Sequence, residues 1–130
     1  MDIKISELTG AVLDALVAEC LGIPVTKTRY GYLLFDSDAY SEFRNDHDAT
    51  FQMFHPSTNW SQAGVIIERE GIELLCESLG FRWVATPQKG PEWRGPTPLI
   101  AAMRCCVGSK LGQEVDVPDE LLQGESNGTT

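Results

Sequence analysis

Several features of familiar protein classes are missing from this sequence. Its apolar runs are only a few residues long, whereas a membrane-spanning helix needs about 20 apolar residues. The N-terminal residues do not form a basic segment followed by an apolar one, so we expect no signal peptide. These absences predict a soluble protein that is located in the cytoplasm and has no membrane partner.

Metal-binding and catalytic motifs are also scarce. The chain has four cysteines and two histidines but no Cys-x-x-Cys pair, so it lacks the closely spaced ligands of a zinc site. Without an export signal, we expect the cysteines to be reduced, buried thiols. We find no Walker loop and no convincing nucleophile–base pair. The sequence therefore predicts no metal, no cofactor and no catalytic residues, and an enzyme is the least favoured class.

Basic residues are few, ten against 19 acidic ones, which makes the net charge −9. Residues 36–48 contain five acids and one base, and residues 113–130 contain five acids and no base. Proteins that bind duplex DNA normally carry a basic patch, so we expect no duplex nucleic acid as a partner. We interpret both segments as solvated, and the EF-hand-like start at residues 36–38 is not followed by the glycine that a calcium loop requires.

The length of 130 residues and the mixture of helical and strand patterns predict one α+β domain. Two principal helices are expected, at 6–21 and at 98–111, packed against a small, mostly antiparallel sheet. The domain is expected to span residues 1–122. Residues 123–130 lack large apolar side chains, so we expect them to form a disordered acidic tail.

Strand patterns occur in four segments, and alternatives remain open in the middle of the chain. Residues 64–70 fit either a helical turn or an extended segment, and residues 71–79 have a helical alternative. The segments with strand patterns are 3–5, 28–35, 72–76 and 81–85. The side chains expected in the core are Leu8, Val12, Leu16, Ile66, Ile100, Met103 and Val107.

Two segments, 55–70 and 95–104, carry polar residues in a more specific order than a packed core requires. Through them, above all through Gly-Pro-Thr-Pro-Leu-Ile-Ala-Ala-Met-Arg, the chain resembles the phage NinX-like family of small proteins from accessory regions of tailed phages. The likeness covers most of the chain except the middle acidic stretch. The family usually has Asp where Asn59 stands and Gly-Gly-Pro at 63–65, which argues against acid–base chemistry at Asn59. The resemblance implies a phage origin and expression in the cytoplasm of the bacterial host, and it implies no reaction.

These two segments also supply the ingredients of a pocket for a nucleotide-like anion. A helix that begins at Thr97 would present unpaired N–H groups and the positive end of its dipole. Arginines pair with phosphate or carboxylate groups, often bidentately, while Trp60 and Trp93 offer flat faces for a ring. The candidate ligand-binding residues are Ser57, Thr58, Asn59, Trp60, Arg69, Arg94, Thr97 and Arg104.

Each candidate also has a purely structural interpretation. Thr97 serves as a helix N-cap, Trp60 anchors its loop in the core, and Arg69 belongs to an ion pair. Short polar side chains such as Ser57 and Thr58 cap nearby backbone groups. Arg104 lies inside an apolar helix and needs a partner there; the candidate partners are Glu68 and Glu70.

We therefore expect a phage accessory protein that binds a small anionic, nucleotide-like ligand without catalysis, such as a sponge that sequesters a nucleotide messenger of host defence. The sponge role is inferred from the class of phage accessory proteins, and the motif chemistry is compatible with it. The alternative is an acidic inhibitor or adaptor that acts on a host protein, and a small hydrolase ranks third. A homo-oligomer is compatible with the sequence, which names neither the ligand nor the host target.

Overall fold

A computed structural model describes residues 1–77 and 82–119, and over these ranges the chain has the predicted α+β architecture. The helices are α1 (Gly10–Leu21), α2 (Trp60–Glu70) and α3 (Pro98–Leu111). The strands are β1 (Asp2–Lys4), β2 (Thr26–Lys27), β3 (Leu33–Asp36), β4 (Phe51–Met53), β5 (Glu73–Cys76), β6 (Trp83–Thr86), β7 (Trp93–Gly95) and β8 (Glu114–Asp116). All their pairings are antiparallel.

Helix α3 is the centre of the fold, as its apolar sequence predicts. Residues 101–108 are all buried, and the helix contacts α1, α2, β6 and β7. It begins where predicted, because Thr97 Oγ1 accepts a hydrogen bond from Ile100 N (3.1 Å) and Pro98 occupies the first turn. One core prediction fails here: Ile100 is only partly buried, whereas the other six predicted core side chains are buried.

Helix α1 begins later than the predicted residue 6. A single 3₁₀ turn at Ile5–Glu7 precedes it, and Leu8 N donates to Ile5 O (3.0 Å). The Leu8 carbonyl accepts a hydrogen bond from the side chain of Arg104 (2.9 Å). Long-range contacts therefore shape this entry segment, and the helix starts only after Thr9. It ends at Gly22, where a φ of 72° suits the predicted glycine stop.

The strands form three small sheets rather than the one sheet that was predicted. Their orders are β1-β8, β2-β3-β4 and β5-β6-β7. The strands predicted at 72–76 and 81–85 are confirmed as the β5–β6 pair over the described residues, so residues 73–76 do not adopt the helical alternative. Residues 78–81 lie outside the described ranges. The open segment 64–70 belongs to α2, a third helix beside the two that were predicted.

The predicted strand 28–35 is half strand and half turn. Thr28 Oγ1 accepts hydrogen bonds from Tyr30 N (3.3 Å) and Tyr32 N (3.1 Å), and Gly31 has a φ of 87°. A side chain that bonds to nearby backbone N–H groups competes with strand pairing. Strand β3 therefore starts only at Leu33, and two aromatic side chains stand on a tight turn.

The acidic segment 36–48 is an ordered surface loop. Gln52, which is buried, accepts hydrogen bonds at Oε1 from Asn45 N and Asp46 N, both at 2.9 Å. Its Nε2 donates to Ser37 Oγ (3.0 Å) and to Ala49 O (2.8 Å). Most of the carboxylates remain exposed, so this segment is solvated as expected. The predicted acidic tail at 123–130 lies outside the described residues.

In the described ranges, no helix is long and apolar enough to cross a membrane. The ends of the domain meet in the β1–β8 pair, and Val117 beyond it is fully buried. The cysteines are all free thiols, but only Cys105 and Cys106 are buried, whereas Cys76 is exposed on β5. The expectation that all four thiols are buried is therefore wrong for Cys76, which lies on a mostly exposed strand, and for Cys20, which is only partly buried.

Candidate functional site

The structure distributes the predicted site residues over three places. Ser57, Thr58, Asn59 and Trp60 lie in the loop that leads into α2 and at the start of that helix. Arg69 lies at the opposite end of α2. The remaining candidates surround the start of α3 and its neighbour β7; they are Arg94, Thr97 and Arg104.

Arg94 and Arg104 border a surface cavity of about 340 Å³, which we call the arginine cleft, whereas Thr97 is not among its lining residues. Its lining residues are Ser6, Arg82, Arg94, Gly95, Pro96 and Arg104. Three of the six arginines in the chain thus meet in one cleft, and no acidic residue is among those that line it. A neighbouring cavity of about 450 Å³ shares Ser6, Arg82 and Arg94 with it. Glu92 and Glu114 line the neighbouring cavity but not the arginine cleft, so positive charge is concentrated in the arginine cleft of a protein whose net charge is −9.

Arg104 is the buried member of this group, with 7% of its surface exposed. Its predicted partners are wrong: Glu70 pairs with Lys110 Nζ (3.0 Å), and neither glutamate bonds to Arg104. Instead, Arg104 Nε donates to Leu8 O and Nη1 donates to Arg94 O, both at 2.9 Å. Carbonyl oxygens hold the guanidinium in place but leave its charge unpaired.

Burial lowers the pKa of Arg104 from its ordinary value because water is excluded around the cation. Arginine nevertheless stays protonated in proteins, so the charge persists. Two of its five N–H groups bond to the carbonyls, and no carboxylate among residues 1–77 and 82–119 forms an ion pair with it. A buried, fixed cation of this kind favours a bound anion.

Glu77 positions the two outer arginines of the cleft. Arg94 donates from Nε and Nη2 to the two carboxylate oxygens of Glu77 (3.1 and 3.0 Å), while Arg82 Nε lies 3.0 Å from Oε1. Hydrogen bonds from Arg94, together with the charges of both arginines, lower the pKa of Glu77. Glu92 lies farther away, 3.9 Å from Arg94 Nη2. Two glutamates thus face three arginines, and a positive excess remains.

The loop before α2 is held by buried polar side chains. Asp14 of α1 accepts hydrogen bonds from Ser57 N (2.8 Å) and Ser57 Oγ (2.9 Å). Gln62 Oε1 accepts from His55 N (2.8 Å), and Asn59 Oδ1 caps α2 by accepting from Gln62 N (2.9 Å). Ser57 and Asn59 thus have the structural roles that were their alternative interpretation. Aspartate, the residue that the resemblance implies at position 59, also caps helices well.

This loop borders a second cavity of about 260 Å³, which we call the tyrosine cleft. Its lining residues include Asp14, Tyr30, Tyr32, His55, Ser57 and Thr58. Thr58 is exposed, and its Oγ1 lies 3.1 Å from His55 Nδ1. No predicted arginine lines this cleft, so the serine–threonine and arginine candidates do not meet in a single pocket.

The aromatic and helix-end candidates have separate surroundings. Trp60 is 59% exposed, so it is not the core anchor that was considered, and its ring is open to solvent. Trp93 is largely buried against α3 next to Gly108, and it also lines the cavity of about 450 Å³ beside the arginine cleft. Arg69 pairs with Glu42 Oε2 (3.1 Å) and lies 5.8 Å from the ring centre of Phe43. Arg69 thus forms the ion pair of its structural interpretation.

Sequence reasoning missed several residues that line the two clefts. Asp14 has a detectable signal, because it is an acid with apolar neighbours on both sides in the middle of α1. Arg82 has a similar signal, since it directly precedes an apolar strand. Tyr30, Tyr32 and His55 have no comparable signal, because only the fold brings their turn and loop together.

Residues 4–110 match a protein-family model described as "Bacteriophage P22, NinX". The matched range contains the lining residues of the tyrosine cleft and of the arginine cleft. No sequence among the curated proteins matches the chain. The family match is consistent with a phage accessory protein, as the resemblance predicted. Because the model covers well over half of the chain, the protein belongs to the phage P22 NinX family.

Proposed function

We propose that this protein binds a small anionic, nucleotide-like ligand without catalysis and that the arginine cleft receives the anionic group. The observation that carries the proposal is the environment of Arg104, a buried guanidinium held by two carbonyls and paired with no described carboxylate. A buried cation is costly unless an opposite charge accompanies it. A bound phosphate or carboxylate supplies that charge.

The shape and chemistry of the cleft support a phosphate-like group. Arginine N–H groups are suited to phosphate oxygens, and three guanidinium groups line the cleft, although Glu77 already accepts from one donor pair of Arg94 and carbonyls accept from Nε and Nη1 of Arg104. The cavity of about 340 Å³ lies within the range of small-molecule sites. Arg94 is already oriented by Glu77, so less side-chain entropy is lost when an anion binds.

Features of the candidate nucleophiles favour binding over catalysis. Ser57 Oγ donates to a carboxylate, and His55 contacts Thr58 instead of Ser57. Burial raises the pKa of the Cys105 and Cys106 thiols to about 12, so neither supplies a thiolate near neutral pH. For a phage protein in the host cytoplasm, sequestration of a host nucleotide messenger is the role that we propose for such binding.

Titration calorimetry with inorganic pyrophosphate and a panel of nucleotides tests the proposal. Replacing Arg94 by glutamine removes charge-assisted hydrogen bonds of about 1.5–3 kcal/mol, so we expect roughly 10- to 100-fold weaker binding. Arg69→Gln is the matched control, because that arginine pairs with Glu42 outside the cleft. Circular dichroism and thermal melting establish that both variants fold.

The panel also has outcomes that contradict the proposal. If no anion in the panel releases heat with the wild-type protein, the arginine cleft is not an anion site. If Arg69→Gln weakens binding and Arg94→Gln does not, the anion binds near the end of α2, as the sequence-based candidate Arg69 would require. If chromatography after incubation shows that the protein converts the nucleotide, the protein is an enzyme, and the proposal of binding without catalysis is wrong.

The alternative function, an acidic inhibitor or adaptor of a host protein, has one observation in its favour. The segment 36–48 is an ordered loop whose aspartates at 38, 46 and 48 are exposed. A fixed array of carboxylates suits a basic protein surface. Cross-linking in host cells tests this alternative. We expect the wild-type protein to capture a host protein that the Asp46→Asn/Asp48→Asn variant does not capture, while nucleotide binding is the same in both.

A further inference from the structure

The tyrosine cleft is bordered on one side by the turn of residues 28–32. Thr28 Oγ1 accepts hydrogen bonds from the backbone of Tyr30 and Tyr32, and Thr28 N donates to Tyr32 O (2.8 Å). These bonds fix the backbone beneath two aromatic rings that remain 69% and 52% exposed. Arg29 lies 5.0 Å from the ring centre of Tyr30 and donates to its hydroxyl (2.9 Å). The backbone that carries both rings is thus fixed, and the ring of Tyr30 is further held by Arg29 without being buried.

The opposite side of the cleft is equally well fixed. Asp14 holds Ser57 through two hydrogen bonds, although both residues are 3% exposed. Gln62, fully buried, donates to Phe43 O (3.1 Å) and Met53 O (2.8 Å) while it accepts from His55 N. Burying so many polar groups is costly unless each is bonded. The result is a rigid loop that presents His55 and Thr58 to the cleft.

The charges in this cleft differ in sign from those in the arginine cleft. Asp14 is the charged side chain among its lining residues, and no lysine or arginine lines it. An anionic group is therefore disfavoured, whereas a neutral group with N–H donors is favoured next to the carboxylate and the imidazole. Partial burial lowers the pKa of His55, which supports a neutral ring at neutral pH.

The size of the cleft limits what it can hold. Its volume is about 260 Å³, just below the roughly 300–1,000 Å³ of sites that enclose drug-sized ligands. A single fused ring system suits it better than a complete nucleotide. Flat aromatic side chains favour a planar ring, because stacking buries both faces.

From this geometry we propose that the tyrosine cleft is a second binding site, which takes an uncharged planar nitrogen heterocycle of the nucleobase type. Tyr30 and Tyr32 supply the stacking surface, and Asp14, His55 and Thr58 supply hydrogen-bonding groups. The inference rests on the proposed function only for the class of ligand. It assigns the heterocyclic ring to the tyrosine cleft, whereas the proposed function assigns the anionic group to the arginine cleft.

Nuclear magnetic resonance titration of the full chain with uncharged nucleosides tests this site by itself. Adenosine, guanosine, cytidine and uridine are the probes, because none carries a phosphate for the arginine cleft. We expect at least one of them to shift the backbone signals of residues 28–32 and 55–58. The Tyr30→Ala/Tyr32→Ala variant removes both stacking rings and is expected to weaken that binding by about tenfold or more.

Phe51→Ala is the matched control. Phe51 is an exposed aromatic side chain (64%) on β4, in the sheet whose β2–β3 turn carries the two tyrosines, but it does not line the cleft. It is expected to bind nucleosides like the wild type. Thr58→Val gives a second, conservative test: the side chain is exposed, so the fold survives, and we expect weaker nucleoside binding.

The two proposals fail in different ways. Arg94→Gln is expected to lose pyrophosphate binding and to keep nucleoside binding, whereas the tyrosine double variant is expected to do the reverse. If no nucleoside shifts the signals of 28–32 and 55–58 at millimolar concentration, the tyrosine cleft is not a heterocycle site. Unchanged nucleoside binding in the double variant overturns the proposal as well.

Discussion

Asp14 shows how much one buried side chain contributes here. Its carboxylate joins α1 to the loop before α2 and satisfies both the backbone N–H and the hydroxyl of Ser57. The two residues are 43 positions apart in the chain. The contact therefore stabilises the tertiary structure and shapes the tyrosine cleft at the same time.

We predict that Asp14→Ala lowers the free energy of unfolding by about 3 kcal/mol, because it removes charge-assisted bonds and leaves two buried donors of Ser57 unpaired. Urea denaturation measures the change. Glu19→Ala is the control on the same helix: Glu19 is exposed, and we expect a change within about 0.5 kcal/mol. If Asp14→Ala lowers the free energy of unfolding no more than Glu19→Ala does, the hydrogen bonds of Asp14 contribute little to stability.

His55 should make stability depend on pH. Burial lowers its pKa in the folded state, whereas the unfolded chain takes up the proton near the ordinary value of about 6.5. Between these two pKa values the unfolded state binds more protons, so stability falls as the pH falls through this range. The contribution is fully present above the unfolded pKa.

Replacing His55 by glutamine is therefore expected to reduce the loss of stability between about pH 7.5 and about pH 5.5. Urea denaturation at both pH values provides the measurement. His47→Gln, which changes the exposed histidine of the acidic loop, is the matched control. If His55→Gln and the wild type lose the same stability over this range, the lowered pKa of His55 has no consequence for folding.

At the scale of elements, the packing of α3 against β7 explains two glycines. A Cβ at Gly95 would lie 2.6 Å from the backbone nitrogen of Ala101, and a Cβ at Gly108 would overlap the ring of Trp93. Both glycines permit close approach between the strand and the helix. Much of the specific residue order in the segment 95–104 thus serves the packing of α3 against β7. The same packing places Arg94 beside Arg104.

Two glycines inside helices, Gly108 and Gly64, should respond in opposite directions to alanine. At Gly64 no other atom lies within 4 Å of an added Cβ, so the higher helix propensity of alanine is expected to stabilise the protein by up to about 1 kcal/mol. At Gly108 the added Cβ meets a rigid indole, and overpacking is expected to cost about 1–3 kcal/mol. Thermal melting of both variants measures the contrast. A stabilised Gly108→Ala variant would contradict the packing described here.

At the scale of the whole molecule, one core joins the three sheets and three helices of the described ranges. Its buried side chains come from α1, β3, α2, β6, β7, α3, the segment after β8 and several connecting segments, while Ile3 of β1 and Val115 of β8 are partly buried against it. The three phenylalanines at 35, 43 and 54 pack edge to face beneath the acidic loop, with ring centres 5.6–6.4 Å apart. The clefts are therefore surface features of a single cooperative unit.

Core truncations should rank by burial. Leu16 is 1% exposed, and we expect Leu16→Ala to cost about 2–5 kcal/mol. Ile100 is only partly buried, so Ile100→Ala should cost roughly 1–2 kcal/mol. Leu111 is 42% exposed, so Leu111→Ala is the control. We expect it to change the free energy of unfolding by no more than about 0.5 kcal/mol. Chemical denaturation orders the three variants, and a cost for Ile100→Ala equal to that for Leu16→Ala would place Ile100 in the core after all.

The sequence by itself determined the features that depend on local chemistry. Thr97, Pro98 and Gly112 mark the ends of α3 because capping and glycine stops act within one helical turn. The α+β class and the family likewise follow from the sequence, whereas the choice between strand and helix at 71–79 stayed open until the structure showed the β5–β6 pair. The start of α1 was misplaced because a distant side chain, Arg104, bonds to the Leu8 carbonyl.

Only the tertiary structure decided what surrounds the candidate site residues. Arg104 finds carbonyls of Leu8 and Arg94 in place of glutamates, although Leu8 lies 96 positions away in the chain. The tyrosine turn meets the loop of residues 55–58 because β3 and β4 pair between them. Such contacts join residues far apart in the sequence, and no local pattern encodes them, because the partner of a polar group is set by packing of the whole chain.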